Sequence, residues 1–295
     1  MTAGVPGRAR KRAPRWLIAL ALAAPALVFL VVFYVVPLGY MVAESLHPWR
    51  GDGGDERIVS IEQYGKVAKG GRTVRAFERT VRIAAIATAA SFVVSYPIAL
   101  LLLGAGRRLR TSLLLVVFVS LASSLLVRNY GWLVTLSDTG PLNRLFITLG
   151  IVDAPVRMVY SEGAIIVALV HYTMPFMILP VFASLLRIPA SYTEAAQSLG
   201  AGPFRALAGI VLPLSIPGIF GGTLLTFAIC MSAFVTPLML GSPSTSMISQ
   251  VAAEQFLVQL NFPFGSAVIV SLTTATFAIV AAYTLAVRRV FRAQV

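Results

Sequence analysis

Apolar residues fall in six long blocks along the chain, near 16–43, 83–106, 112–136, 163–186, 217–240 and 264–287, with polar and charged residues gathered between them. A hydrocarbon core about 30 Å thick takes about 20 helical residues to cross, so each block predicts one membrane span. From Trp16 to Ala43 there is no charge, and the apolar run continues far past Ala24-Pro25-Ala26. It is longer than the ~7–15-residue core of a signal peptide, which predicts an uncleaved first span. Pro175 and Pro180 interrupt the fourth block; prolines kink helices but are tolerated in membranes where neighbours satisfy the freed carbonyls. In the fifth block Gly218, Gly221 and Gly222 suit close helix packing, and Ser232, Thr236 and Pro237 predict a polar, bent outer half.

The intervening stretches read as follows. Residues 44–82 hold six of the eleven carboxylates and many glycines, and predict a first external loop. Residues 138–162, with Gly140-Pro141-Leu142-Asn143 and Ala154-Pro155 as turn signals, predict a second. Residues 241–263 predict a third, with a short interfacial or re-entrant helix over 247–260 that carries Glu254. In 187–216, Ser191 and Glu194 have the spacing of a capping box. Ala195 to Leu199 favour helix, Gly200 supplies a stop, and Pro203 suits the first position of a new helix. The expected shape is a short helix, a Gly-Ala-Gly turn and a second helix: a compact knuckle fit for a socket on another protein.

Composition places the chain among integral membrane proteins, with 58% hydrophobic residues, 12% charged and a mean hydropathy of +0.85. The fold class expected is all-α with six transmembrane helices. The single cysteine, Cys230, excludes an internal disulfide and lies where packing is its expected role. The net charge of +13 sits at the ends of apolar runs and forms no patch interleaved with aromatics, so membrane orientation accounts for it and nucleic acid is not an expected partner. Six spans put both termini on one side. With the termini cytoplasmic, thirteen bases lie inside, ten outside, and Arg128 between. Residues 1–15 then form a basic cytoplasmic arm, 16–295 one transmembrane domain, and Glu194 is the only cytoplasmic carboxylate side chain.

No GxxxxGK[ST] loop, metal-ligand cluster or nucleophile–base set is present, so the chain is not expected to be an enzyme. Arg128-Asn129-Tyr130-Gly131-Trp132 admits two readings: Arg128 snorkels to an interface beside Tyr and Trp, or it lines or gates a path, since intramembrane charges face the protein interior. His171 reads as a packed histidine. For a cationic solute, Asp138, Glu162 and Glu254 with Tyr130, Trp132 and Phe234 are available carboxylates and aromatic faces; the net positive charge keeps an anionic solute open. None of the carboxylates lies mid-span, which argues against an ion-coupled secondary transporter.

Glu194-Ala195-Ala196, Gly200, then Ile210, Leu212 and Pro213 resemble, at every fixed position, the EAA loop of ATP-binding-cassette (ABC) importer permeases of type I. The resemblance extends through VRNYGW, MPFMILP, SAFVTPLMLG and NFPFG, and is similar to the B-type permeases of spermidine/putrescine importers. It implies a type I permease fold in a bacterial inner membrane, a coupling helix docked in a cytoplasmic ATPase, two ATPase subunits that hold ATP and Mg, a second permease, and an extracytoplasmic substrate-binding protein. Related permeases carry iron(III), phosphonates and other small solutes.

Overall fold

The computed structural model describes residues 15–49 and 59–292; all but Arg15 of the expected arm at 1–15, and the centre of the first polar stretch, including Asp52, Asp55 and Glu56, lie outside the described residues. Among the described residues every regular element is helical. In order they are α1 (Leu22–Ser45, continuous with the turns from Arg15), α2 (Glu62–Lys69), α3 (Gly71–Gly104), α4 (Arg107–Ala122), α5 (Leu125–Leu136), α6 (Pro141–Thr148) and α7 (Glu162–Leu185). There follow α8 (Ala190–Ser198), α9 (Pro203–Leu214), α10 (Ile216–Met231), α11 (Val235–Leu240), α12 (Ile248–Leu257) and α13 (Phe262–Arg292).

Four of these, α1, α3, α7 and α13, are long and apolar enough to cross a membrane unaided; α4 with α5–α6, and α9 with α10, pass only as bent pairs, at 99° and 65°. The third apolar block is therefore not one straight helix. It breaks at Ser123–Ser124, both in extended conformation. The fifth block breaks too, at Ser232–Phe234.

The core is the trio α3, α7 and α10. Small residues bring the axes together: a Cβ on Gly218 would stand 2.5 Å from the Pro180 carbonyl oxygen, and one on Gly222 2.7 Å from Met177 Sδ. Gly221, expected to share this role, has only ordinary contact at 3.9 Å. Ser91 and Thr173 hydroxyls bond at 2.9 Å between α3 and α7, and Tyr96 and Ser215 at 3.2 Å between α3 and the start of α10. Such bonds satisfy polar groups that lipid could not.

The expected first external loop is shorter than its polarity suggests, because α3 begins at Gly71 and α2 occupies 62–69. The charges on the added turns find distant partners. Glu162 accepts from Arg79 Nε (3.0 Å) and Arg82 Nη2 (2.7 Å), Arg79 also donates to the Ser246 carbonyl (3.0 Å), and Arg72 pairs with Glu254 (3.0 Å). Two π-helical turns, Val31–Val35 and Leu207–Val211, each end two residues before a proline, Pro37 and Pro213. A proline cannot donate to the carbonyl one turn back and crowds it, and a widened turn relieves both.

Candidate coupling knuckle and cavity

α8 does not start with the expected capping box. Pro189 occupies the N-cap in extended conformation with no side-chain cap, Ser191 is the second residue of the helix, and the Glu194 side chain is exposed. The other end is as expected. Gly200 has φ +85°, its N–H donates to Gln197 O (2.9 Å), and Ala201 N–H reaches Ala196 O (2.9 Å). This paired closure needs a left-handed residue, which glycine adopts without a Cβ penalty. Gly202 is extended and Pro203 is the first residue of α9.

The fixed positions of the loop divide by exposure. Glu194, Ala195 and Gly200 are exposed, and Ala196 is half-buried; Leu199 and Phe204 present 90% and 80% of their surface. Ile210, Leu212 and Pro213 are half-buried around Val211, which packs into the cluster of Ala99, Leu102, Val181 and Leu185. The knuckle is thus anchored at its second arm and open at its first.

The two helix breaks meet in the bundle. Asn129 on α5 and Thr236 on α11 are buried and bond reciprocally at 3.2 and 3.3 Å. Beside them is a cavity of about 230 Å³ lined by Leu125, Tyr172, Ser232, Phe234 and Thr236, smaller than a mostly apolar one of about 430 Å³ between α3, α10 and α13. Non-helical backbone at membrane depth is tolerated where it is buried in protein or lines a cavity, and the smaller cavity borders both breaks. Arg128 Nη2 donates to Ser123 O (2.9 Å), Nη1 to Ser120 Oγ (3.3 Å), and the guanidinium carbon stands 5.0 Å from the centre of the Tyr172 ring. Trp132 Nε1 donates to His171 Nδ1 at 3.1 Å, so His171 is packed with a partner.

Of the residues expected on a solute path, Phe234 lines the smaller cavity, Arg128 reaches it only through the Tyr172 ring, and Trp132 is held by His171. Tyr130 faces away and is 62% exposed. Asp138 is exposed beside Arg157 and Tyr160 in a separate hollow. Glu254 sits on α12, where the hydrogen bond from Arg72 holds its carboxyl below the usual carboxylate range. Tyr172, Asn129 and Thr236 were not legible as site residues. The signal available was a polar side chain inside an apolar run. Among the described residues no cluster of three His, Cys, Asp or Glu could hold a metal.

An apolar helical bundle with broken spans and an exposed knuckle is the architecture of a multi-pass membrane protein. Its fold is shared with a solved bacterial alginate ABC transporter bound to a pentasaccharide-loaded periplasmic protein, at a TM-score of 0.78 and 17% identity over 94% of this chain and 96% of that one. The chain belongs to the family of binding-protein-dependent transport system inner membrane components, which it matches over residues 92–292. It is 31% identical over 245 residues to the spermidine/putrescine transport system permease protein PotB of Haemophilus influenzae, covering 83% of this chain and 85% of the relative. It is 34% identical over 194 residues to PotB of Escherichia coli, covering 66% and 70%. The chain is a multi-pass inner-membrane permease subunit.

Proposed function

We propose that this permease subunit forms half of a translocation path for a polyamine such as spermidine or putrescine, driven by ATP hydrolysis on separate subunits. In this reading six spans cross the inner membrane, two of them bent, with both termini and the 187–216 loop cytoplasmic. The chain catalyses no reaction itself. Two ATPase subunits bind ATP and Mg, a second permease completes the path, and an extracytoplasmic binding protein delivers the solute.

The knuckle carries the coupling part. Glu194, Ala195, Ala196 and Gly200 present a short, locally closed helix, while Ile210, Leu212 and Pro213 join it to the core through Val211. Movement of an ATPase on ATP binding would reach α3 and α7 through that anchored arm, a rigid element biasing a two-state bundle. The likeness to PotB over 83% of the chain supports the solute class.

The test is uptake of labelled spermidine by proteoliposomes holding the permease pair, both ATPases and the binding protein. ATP-dependent uptake is expected, with Gly200→Pro and Glu194→Lys losing it while the chain still inserts. ATPase subunits that co-purify without any polyamine uptake would overturn the solute, and unchanged uptake in both variants would overturn the coupling role.

A further inference from the structure

The second arm of the knuckle runs into the bundle at an elbow. α9 and α10 meet at Ser215 with a bend of 65°, and Ser215 is fully buried there. The two sides of the elbow differ. Towards α7 there is no slack, since a Cβ on Gly218 would stand 2.5 Å from both the Pro180 carbonyl oxygen and Ser184 Cβ. Towards α3 there is room: a cavity of about 270 Å³ lies between Val93, Tyr96 and Pro97 on α3 and Phe204, Leu207 and Leu212 on α9.

A short hydroxyl relay bridges the open side. The Ser215 hydroxyl has one proton, which goes to Leu212 O at 2.9 Å, so the Tyr96 hydroxyl, 3.2 Å away, donates to Ser215 Oγ. Among the described residues this is the one side-chain hydrogen bond between α3 and the α9–α10 arm. The helices around it are weakened at the same level. Pro97 follows Tyr96 in α3, Pro180 faces Gly218 from α7, and Pro213 lies just before the elbow, after the π-helical turn Leu207–Val211. Each proline takes an amide out of its ladder, and helices bend where the ladder is interrupted.

We propose that this elbow is the joint through which the knuckle moves the bundle, and that Tyr96 is its positioning residue, tying α3 to a motion that α7 follows by packing alone. With the bond in place, a shift of α9 carries α10, α7 and α3 together. Without it the arm swings over the cavity, α3 stays behind, and the outer face and the ATPases lose touch with each other. The inference rests on the coupling reading of the knuckle.

The experiment measures ATPase activity of the full transporter in proteoliposomes, with and without its binding protein and spermidine. Tyr96→Phe keeps the ring and removes only the donor. It should cut the stimulation by binding protein about fivefold while basal ATPase activity stays within about twofold of wild type. Ser215→Ala should do the same, and the double variant should lose no more than either single one, because both remove one bond. A bond with only a structural role would lower the thermal midpoint and leave the ratio of stimulated to basal activity where it was. Wild-type stimulation in Tyr96→Phe, or losses that add in the double variant, overturns the proposal. Gly200→Pro, run alongside, separates the two readings: stimulation lost there and kept in Tyr96→Phe sinks the elbow alone, and stimulation kept in Gly200→Pro sinks the coupling knuckle and the elbow with it.

Discussion

Two short helices at opposite ends of the bundle have nearly the same length and opposite surroundings. α12, ten residues, buries Ile248, Val251, Ala252 and Gln255. Ile248 N–H donates to Thr80 Oγ1 at 2.9 Å, Ser249 Oγ to Ala233 O at 2.6 Å, and Glu254 takes Arg72. α8, nine residues, buries none, and its side-chain hydrogen bonds return to its own backbone, Thr193 to Ala190 O and Ser198 to Glu194 O. Both are below the ~12–15 residues at which an isolated helix holds in water. α12 is ordered by burial within the chain; α8 is ordered by closures at its ends and by the anchored arm that follows. The first is part of the bundle, and the second stays on its surface.

The largest expected effect breaks α8 at its closure. Gly200→Val puts a β-branched residue at φ +85°, against about 1–2 kcal/mol of local strain, and should lower binding-protein-stimulated ATPase activity more than tenfold at unchanged membrane levels. Next is the anchor of α12. Thr80→Val leaves the Ile248 N–H buried without an acceptor, a loss of about 1–3 kcal/mol. It should lower the thermal midpoint in detergent while leaving the ATPases bound. Glu254→Gln should be smaller, about 0.2–1 kcal/mol for a partly exposed pair, and is read as faster hydrogen exchange over 248–257. The same pair predicts a pH dependence. Its carboxyl is held below the usual range, so its contribution is complete above the ordinary carboxylate pKa near 4.3 and is lost as pH falls through the lowered value. Protection over α12, taken as the exchange rate relative to the intrinsic rate at each pH, should fall in acid, and that over α8 should not share the transition.

Much of the bundle was legible because apolar runs of span length have few other uses. Helices cover most of every expected block, and α12 falls within the expected 247–260. Gly200 and Pro203 were legible because their roles depend on backbone conformation alone. The bend at Ser123–Ser124 was not, since leucines and valines continue on both sides and hydropathy carries no direction. The early start of α3 was hidden because Arg72, Arg79 and Arg82 look like loop residues until Glu162 and Glu254, far along the chain, are placed against them. The capping box failed because Pro189, two residues earlier, already fixes the extended conformation at the N-cap. Tyr172 acquires its place only from Arg128, 5.0 Å away across another helix.

The central claim, that α8 is the face docked to an ATPase, is tested most directly by thiol crosslinking in native membranes. Gln197 is exposed and the one native cysteine, Cys230, is buried, so Gln197→Cys supplies the accessible thiol. The account predicts a crosslink from Gln197→Cys to an ABC ATPase subunit that changes in yield with ATP, and none from Val258→Cys beyond the end of α12. A Gln197→Cys protein that yields no ATPase adduct, in membranes where the ATPase co-purifies with the permease, would contradict it.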